Sequence, residues 1–210
     1  MRLYSSSLPA VLGLSVCRDL KELLAKASLV LSSKERESLS RITDLHRRDQ
    51  SLAARVFLKL LLQKIFQFEP LDLRIERRST GSLVVRGLKG RVHVSISHSA
   101  NAVAAVVARS DVGIDLEGDR LLQNEKSLRL RICRDEAERA LGLSTLGLWA
   151  LKEAVVKVMG DGLVSDVRIL SAVRVKRGRI QVSARRGRKC FQGELWRLSG
   201  GHWLAVIQKR

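Results

Sequence analysis

Apolar positions in residues 34–66 recur at helical spacing. Leu52, Ala53, Val56, Phe57, Leu60, Leu61 and Ile65 fall on one wide face, which predicts helix. Arg48, Arg55 and Lys59, seven and four apart, share the opposite stripe. From Val92 the period becomes two: Val92, Val94 and Ile96 alternate with polar neighbours, and Val103–Val107 is an apolar run ending at Arg109-Ser110-Asp111. Ile114 and Leu116 then alternate with Asp115 and Glu117, which predicts a hairpin across Arg109–Asp111. Residues 134–141 and 146–159 read as helical. The tail returns to strands at Val173/Val175, a turn at Arg177-Gly178, Ile180/Val182, Glu194–Leu198 and His202–Gln208.

The pattern echoes itself. Residues 97–107 (Ser-His-Ser-Ala-Asn-Ala-Val-Ala-Ala-Val-Val) resemble residues 197–207 (Arg-Leu-Ser-Gly-Gly-His-Trp-Leu-Ala-Val-Ile) at an offset of 100. Each copy closes a helix-then-strands segment of half the chain. The expectation is an α+β fold built from a duplicated unit, with halves at 1–109 and 110–210 packed as a pseudo-dimer within one monomeric chain.

Composition narrows the setting. With 210 residues, 45% hydrophobic and 29% charged, the chain is long enough for one core or two small linked ones. No apolar run approaches the ~20 residues that span a bilayer, so no membrane partner is expected. The apolar stretch Leu8–Cys17 lacks a small-x-small cleavage site and reads as a first strand rather than an export signal. Three scattered cysteines without a C-x-x-C pair suit a reducing compartment, hence a cytoplasmic location. The net charge of +18 implies an anionic partner. Only 4% aromatic residues and no zinc-finger spacing argue against nucleic acid as that partner.

Three segments carry candidate chemistry. In Val112-Gly113-Ile114-Asp115-Leu116-Glu117, strand geometry points Asp115 and Glu117 to one face. Such a pair is either a solvated acidic edge or an all-oxygen ligand set for a hard ion such as magnesium. In Trp149-Ala150-Leu151-Lys152-Glu153-Ala154-Val155-Val156-Lys157, Glu153 and Lys157 form an i,i+4 pair. An exposed salt-bridged helix is the simpler account, but the flanks are apolar, and a glutamate buried there needs a partner. Ser97-His98-Ser99 ends a strand, as either a turn or a set of donors for a phosphate.

In order and composition the three segments resemble the Sfp-type 4′-phosphopantetheinyl transferase superfamily, of the holo-acyl-carrier-protein synthase kind. Its hallmarks are an S-H-S strand end, G-[I/V]-D-x-E and W-x-x-K-E-x-x-x-K. The resemblance spans residues 45–165 and implies a pseudo-two-fold α+β fold with the active site in the cleft between the halves. It implies magnesium-dependent transfer of 4′-phosphopantetheine from coenzyme A to a serine of an acidic acyl or peptidyl carrier protein, as in fatty-acid, polyketide or nonribosomal peptide synthesis. On this resemblance Asp115, Glu117 and Glu153 hold magnesium, and Glu153 is the general base. Lys157, with Lys152 as a second candidate, stabilises developing charge. Arg47, Arg48, Ser97 and His98 join Asp115, Lys152 and Lys157 in binding coenzyme A.

There are departures. The family's G-K-P segment is replaced by Thr80-Gly81-Ser82-Leu83, leaving Arg77, Arg78 or Arg86 to supply its contact, and Glu136 is only a loose match to an acidic position. The competing readings are a carrier-binding relative that has lost catalysis and a basic nucleic-acid-binding protein.

Overall fold

The structure, a computed structural model, describes residues 2–118, 124–175 and 178–210. It divides into two compact units, Met1–Ser110 and Asp111–Arg210.

Unit 1 runs β1 (Arg2–Leu3), β2 (Val11–Cys17), α1 (Leu20–Ala25), α2 (Ala27–Val30), α3 (Ser33–Ser40), α4 (Leu45–Phe66), β3 (Arg74–Arg77), β4 (Leu83–Arg86), β5 (His93–Ser99) and β6 (Ala102–Ala108). The strands form one antiparallel sheet in the order β1-β2-β6-β5-β4-β3. Ala53, Phe57, Leu58 and Leu61 of α4 pack on Val94, Val103, Ala105 and Val107. The helix predicted over 34–66 is therefore two helices. Asp44 is extended and its carboxylate accepts the Arg47 N–H at 2.9 Å, so α4 starts afresh there. The polar stripe opposite the apolar face is also corrected, because Arg55 and Lys59 are buried.

Unit 2 runs β7 (Val112–Glu117), α5 (Glu125–Ile132), α6 (Glu136–Arg139), α7 (Thr145–Met159), β8 (Arg168–Arg174), β9 (Arg179–Arg186), β10 (Lys189–Arg197) and β11 (Trp203–Lys209). Its sheet order is β7-β11-β10-β9-β8. Setting β1 aside, this is the strand path of unit 1, with β7 in the place of β2 and β11 in that of β6. Register agrees with the sequence echo: Ser15 pairs with Ala105, and Asp115 pairs with Ala205. Of the turn expected at Arg177-Gly178, Arg177 lies outside the described residues.

One expectation fails. The run 103–107 and the segment 114–117 do not form a hairpin; β7 pairs with β11 in the second sheet. Both edges of β6 are already taken by β2 and β5, so it has no free edge to offer.

A deeper likeness between the units lies in two buried ion pairs. In unit 1, Lys59 Nζ donates to Glu35 Oε2 at 2.7 Å and to the Val30 carbonyl, while Glu35 Oε1 accepts the Ile75 N–H. In unit 2, Lys152 Nζ donates to Glu138 Oε2 at 2.9 Å and to the Ile132 and Val167 carbonyls, while Glu138 Oε1 accepts the Ile169 N–H. Each glutamate sits three residues after a helix N-cap, Ser32 or Asp135, whose side chain accepts its N–H. Burial works to raise the Glu35 pKa, but the hydrogen bonds from Lys59, Ser32 and Ile75 outweigh it and hold the carboxyl below its ordinary value.

Candidate active site

Helix α7 begins at Ser144, whose hydroxyl accepts the Gly147 N–H at 3.0 Å, and ends at Gly160 in the left-handed region, φ 77°. It lies across β7 and β11 of its own sheet, with Leu148, Leu151 and Val155 buried beneath it. Gly113 sets how close the helix comes. A β-carbon there would sit 2.0 Å from the Ala154 carbonyl oxygen, so only glycine lets β7 and α7 approach this far. In unit 1 the corresponding Gly13 faces the Ile65 side-chain tip of α4, which a β-carbon would approach to 2.5 Å, so the constraint there is on a side chain and not on the helix backbone.

That approach brings Lys157 to the strand. Its Nζ donates to Asp115 Oδ1 at 2.7 Å and to the Ile114 carbonyl at 3.0 Å. Asp115 is 5% exposed, while Lys157, Glu153 and Glu117 are half-buried. Gly113, Asp115 and Glu117 share the α7 side of the strand, with Ile114 and Leu116 on the other side. Burial pushes the Glu153 carboxyl above its ordinary range, the Asp115 charge pushes it further, and Lys157 partly offsets both. A carboxylate whose ionisation is disfavoured by the neighbouring Asp115 charge, with the lysine already hydrogen-bonded to Asp115, invites a further cation.

The oxygen donors fit magnesium chemically. Among the described residues, no three His, Cys, Asp or Glu side chains are gathered closely enough to hold a metal alone. The interacting pair is Asp115 and Glu153, with Glu117 two residues along the same strand face. Magnesium keeps several waters and completes its shell with substrate phosphates, so a partial protein set suits it.

Residues 111–207 match the family model of the 4′-phosphopantetheinyl transferase superfamily. Over this segment the chain is similar to that superfamily. No curated protein matches the chain. The match contains β7, α7 and every residue of the group around Asp115, so the acidic strand and the lysine-bearing helix both lie within the matched segment.

Lys152 is not part of this group. It is fully buried on another flank of α7 with its three donors engaged, so the cofactor contact expected of it is corrected: no N–H remains to offer. The acidic neighbour that matters is Glu138, fully buried, whereas Glu136 is exposed. Sequence reading missed both Glu138 and Glu35. Their signal was available in Ser32-x-x-Glu35 and Asp135-x-x-Glu138, an N-cap residue followed by an acid at the third helical position.

In unit 1, Arg47 is exposed and Arg48 half-buried in the first turn of α4. Gln50 Nε2 donates to the Ala100 carbonyl at 2.8 Å, which ties that end of the helix to the turn after Ser97-His98-Ser99. Gln50 was also missed, although it sits at helical spacing before Ala53, Ala54 and Phe57 on the buried face. Ser97 and His98 do not act from one face. His98 continues the α4 side occupied by Val94 and Ile96, and the buried Ser97 points to the other.

The glycine gives a first expected outcome. Gly113→Ala forces α7 off β7, at about 1–3 kcal/mol for overpacking, and lengthens the Lys157–Asp115 contact. A lowered Tm together with lost activity is the expected result. An unchanged Tm would show that the helix does not need the glycine.

Proposed function

We propose that the chain transfers the 4′-phosphopantetheine group of coenzyme A to a serine of an apo acyl or peptidyl carrier protein, in the cytoplasm and with magnesium. The observation that carries this reading is the Asp115–Lys157–Glu153 group, on a strand and helix within the segment similar to the 4′-phosphopantetheinyl transferase superfamily. The serine oxygen attacks the β-phosphorus, a new P–O bond forms, and the bond from that phosphorus to the bridging oxygen breaks. Adenosine 3′,5′-bisphosphate leaves with the bridging oxygen.

Glu153 takes the serine proton. Its raised pKa makes it a better proton acceptor at neutral pH than an ordinary carboxylate. Lys157 spends two of its three N–H donors on Asp115 and Ile114, leaving one for a phosphate oxygen. Magnesium, held by Asp115 and Glu153 with Glu117 alongside, would neutralise charge on the pyrophosphate. Arg47, Arg48, Ser97 and His98 are assigned to the phosphates at the nucleotide end of coenzyme A, with Arg47 and Arg48 offering the guanidinium fork that suits phosphate. All three cysteines are free, which supports a reducing compartment.

The direct test is the mass of an apo-carrier incubated with coenzyme A and magnesium. A gain of one phosphopantetheine supports the reading; no gain on fatty-acid, polyketide or peptide carriers overturns it.

The excess of +18 would steer an acidic carrier. Arg186 is unsuited to meet it, because its guanidinium is spent on the Asp161 carbonyl and on the Asp161 and Asp166 carboxylates. Arg185, Arg188 and Lys189 on the same hairpin are exposed. Arg185→Glu with Arg188→Glu is expected to raise KM for the carrier by about 10-fold and to steepen with falling salt, with KM for coenzyme A unchanged. Equal effects on both substrates would reassign this hairpin to the cofactor.

A further inference from the structure

The two buried lysine–glutamate clamps are built alike, yet they stand beside different neighbours. From Lys152, the next residue of α7 is Glu153 and the fifth is Lys157. From Lys59, the corresponding residues of α4 are Leu60 and Lys64, with no carboxylate at the Glu153 place. The same strand comparison sets Ser15 and Cys17 where β7 has Asp115 and Glu117.

At about 100° per residue, Glu153 and Lys157 lie within ~40° of each other around α7, and Lys152 lies ~100° from Glu153. Lys152 is tied to the end of α5 through Ile132, to α6 through Glu138, and to the entry of β8 through Val167. Glu138 is in turn tied to β8 through the Ile169 N–H. One side of the helix is thus fastened at three points, one of them braced in turn by β8, while another carries the reacting group against β7.

Resting on the transferase reading above, we propose that Lys152 and Glu138 are positioning residues for the reaction. Their clamp sets the rotation of α7 about its axis and thereby aims Glu153 and Lys157 at Asp115. A helix turned by ~20° carries a side-chain tip ~5 Å from its axis through nearly ~2 Å. A misplacement of ~1 Å at reacting groups costs on the order of 100-fold in rate. The clamp in unit 1 has the same chemistry and no reacting carboxylate beside it, which makes it an internal control for stability alone.

The experiment compares two double variants of the full chain. Lys152→Met with Glu138→Gln removes both charges at similar volume; Lys59→Met with Glu35→Gln does the same in unit 1. Both should lower Tm. The first should also lower kcat by roughly 10–100-fold with KM for coenzyme A within about 3-fold, and the second should leave kcat within about 2-fold. Amide hydrogen exchange should rise in residues 153–159 of the first variant before it rises in β10 and β11.

If both variants lose kcat equally, or neither does, the clamp only holds the fold and the proposal is overturned. Should the first variant fail to fold, Glu138→Asp shortens the carboxylate by one methylene and keeps its charge. It should show a smaller kcat loss at near-normal Tm, and full kcat there overturns the proposal. A wild type that modifies no carrier defeats the transferase reading instead. The exchange pattern of α7 then decides the clamp alone, and unchanged protection of residues 153–159 overturns it.

Discussion

Asp115→Ala is expected to lower phosphopantetheine transfer by more than ~100-fold, the scale seen when one preorganised charge-stabilising group is removed. Three losses coincide in this variant. The strand gives up its buried oxygen donor, Lys157 loses the acceptor 2.7 Å away, and Glu153 loses the neighbouring charge that helps raise its pKa. The fold should persist, because the face of β7 that carries Ile114 and Leu116 is untouched and Lys157 is only half-buried. Asp115→Asn separates charge from shape: it still accepts a hydrogen bond from Lys157, but it cannot neutralise a cation. Both variants should be inactive, with circular dichroism like that of the wild type. Full activity in Asp115→Ala, or in the wild type with excess chelator, would end the magnesium assignment.

Glu153→Gln should lower kcat by about 100-fold or more, the upper part of what a positioned base contributes. Raised magnesium should not restore it, since glutamine keeps an oxygen donor but cannot take the serine proton. Near-complete recovery at high magnesium would demote Glu153 to a ligand and move the proton to water or to Glu117.

The same substitution carries a stability signature. The folded-state pKa of Glu153 is raised, so above that value the ionised carboxylate opposes folding, and the opposition disappears as pH falls through it toward the ordinary range. Glu153→Gln should therefore have a higher Tm than the wild type at neutral pH. The gain should shrink to nothing in acid. A variant less stable at neutral pH would mean that Glu153 is held by partners that favour its charge. An activity loss paired with a stability gain is the pattern of a group strained for function.

Local pattern reached far in this chain. Alternation of Ile114, Asp115, Leu116 and Glu117 placed two carboxylates on one strand face, and the helical spacing of Glu153 and Lys157 placed those two side chains together, because each period is a property of the backbone itself. The echo at an offset of 100 reported the duplicated unit, since equivalent strands must satisfy equivalent cores.

Partners distant in sequence were decided only by the folded chain. That β7 joins β11 rather than β6 depends on which strand edges remain open after the sheet forms. Lys152 and Lys157 carry the same charge on one helix, five residues apart, yet Lys152 is sealed against Glu138 while Lys157 reaches Asp115. Helical periodicity says that the two face different ways but not what waits on either side. The answer lies in residues 14 positions back and 42 positions back along the chain. Arg55 and Lys59, which the helical pattern sets opposite the apolar face, are likewise interior groups, because α3 and β3 pack where the helix alone would meet water.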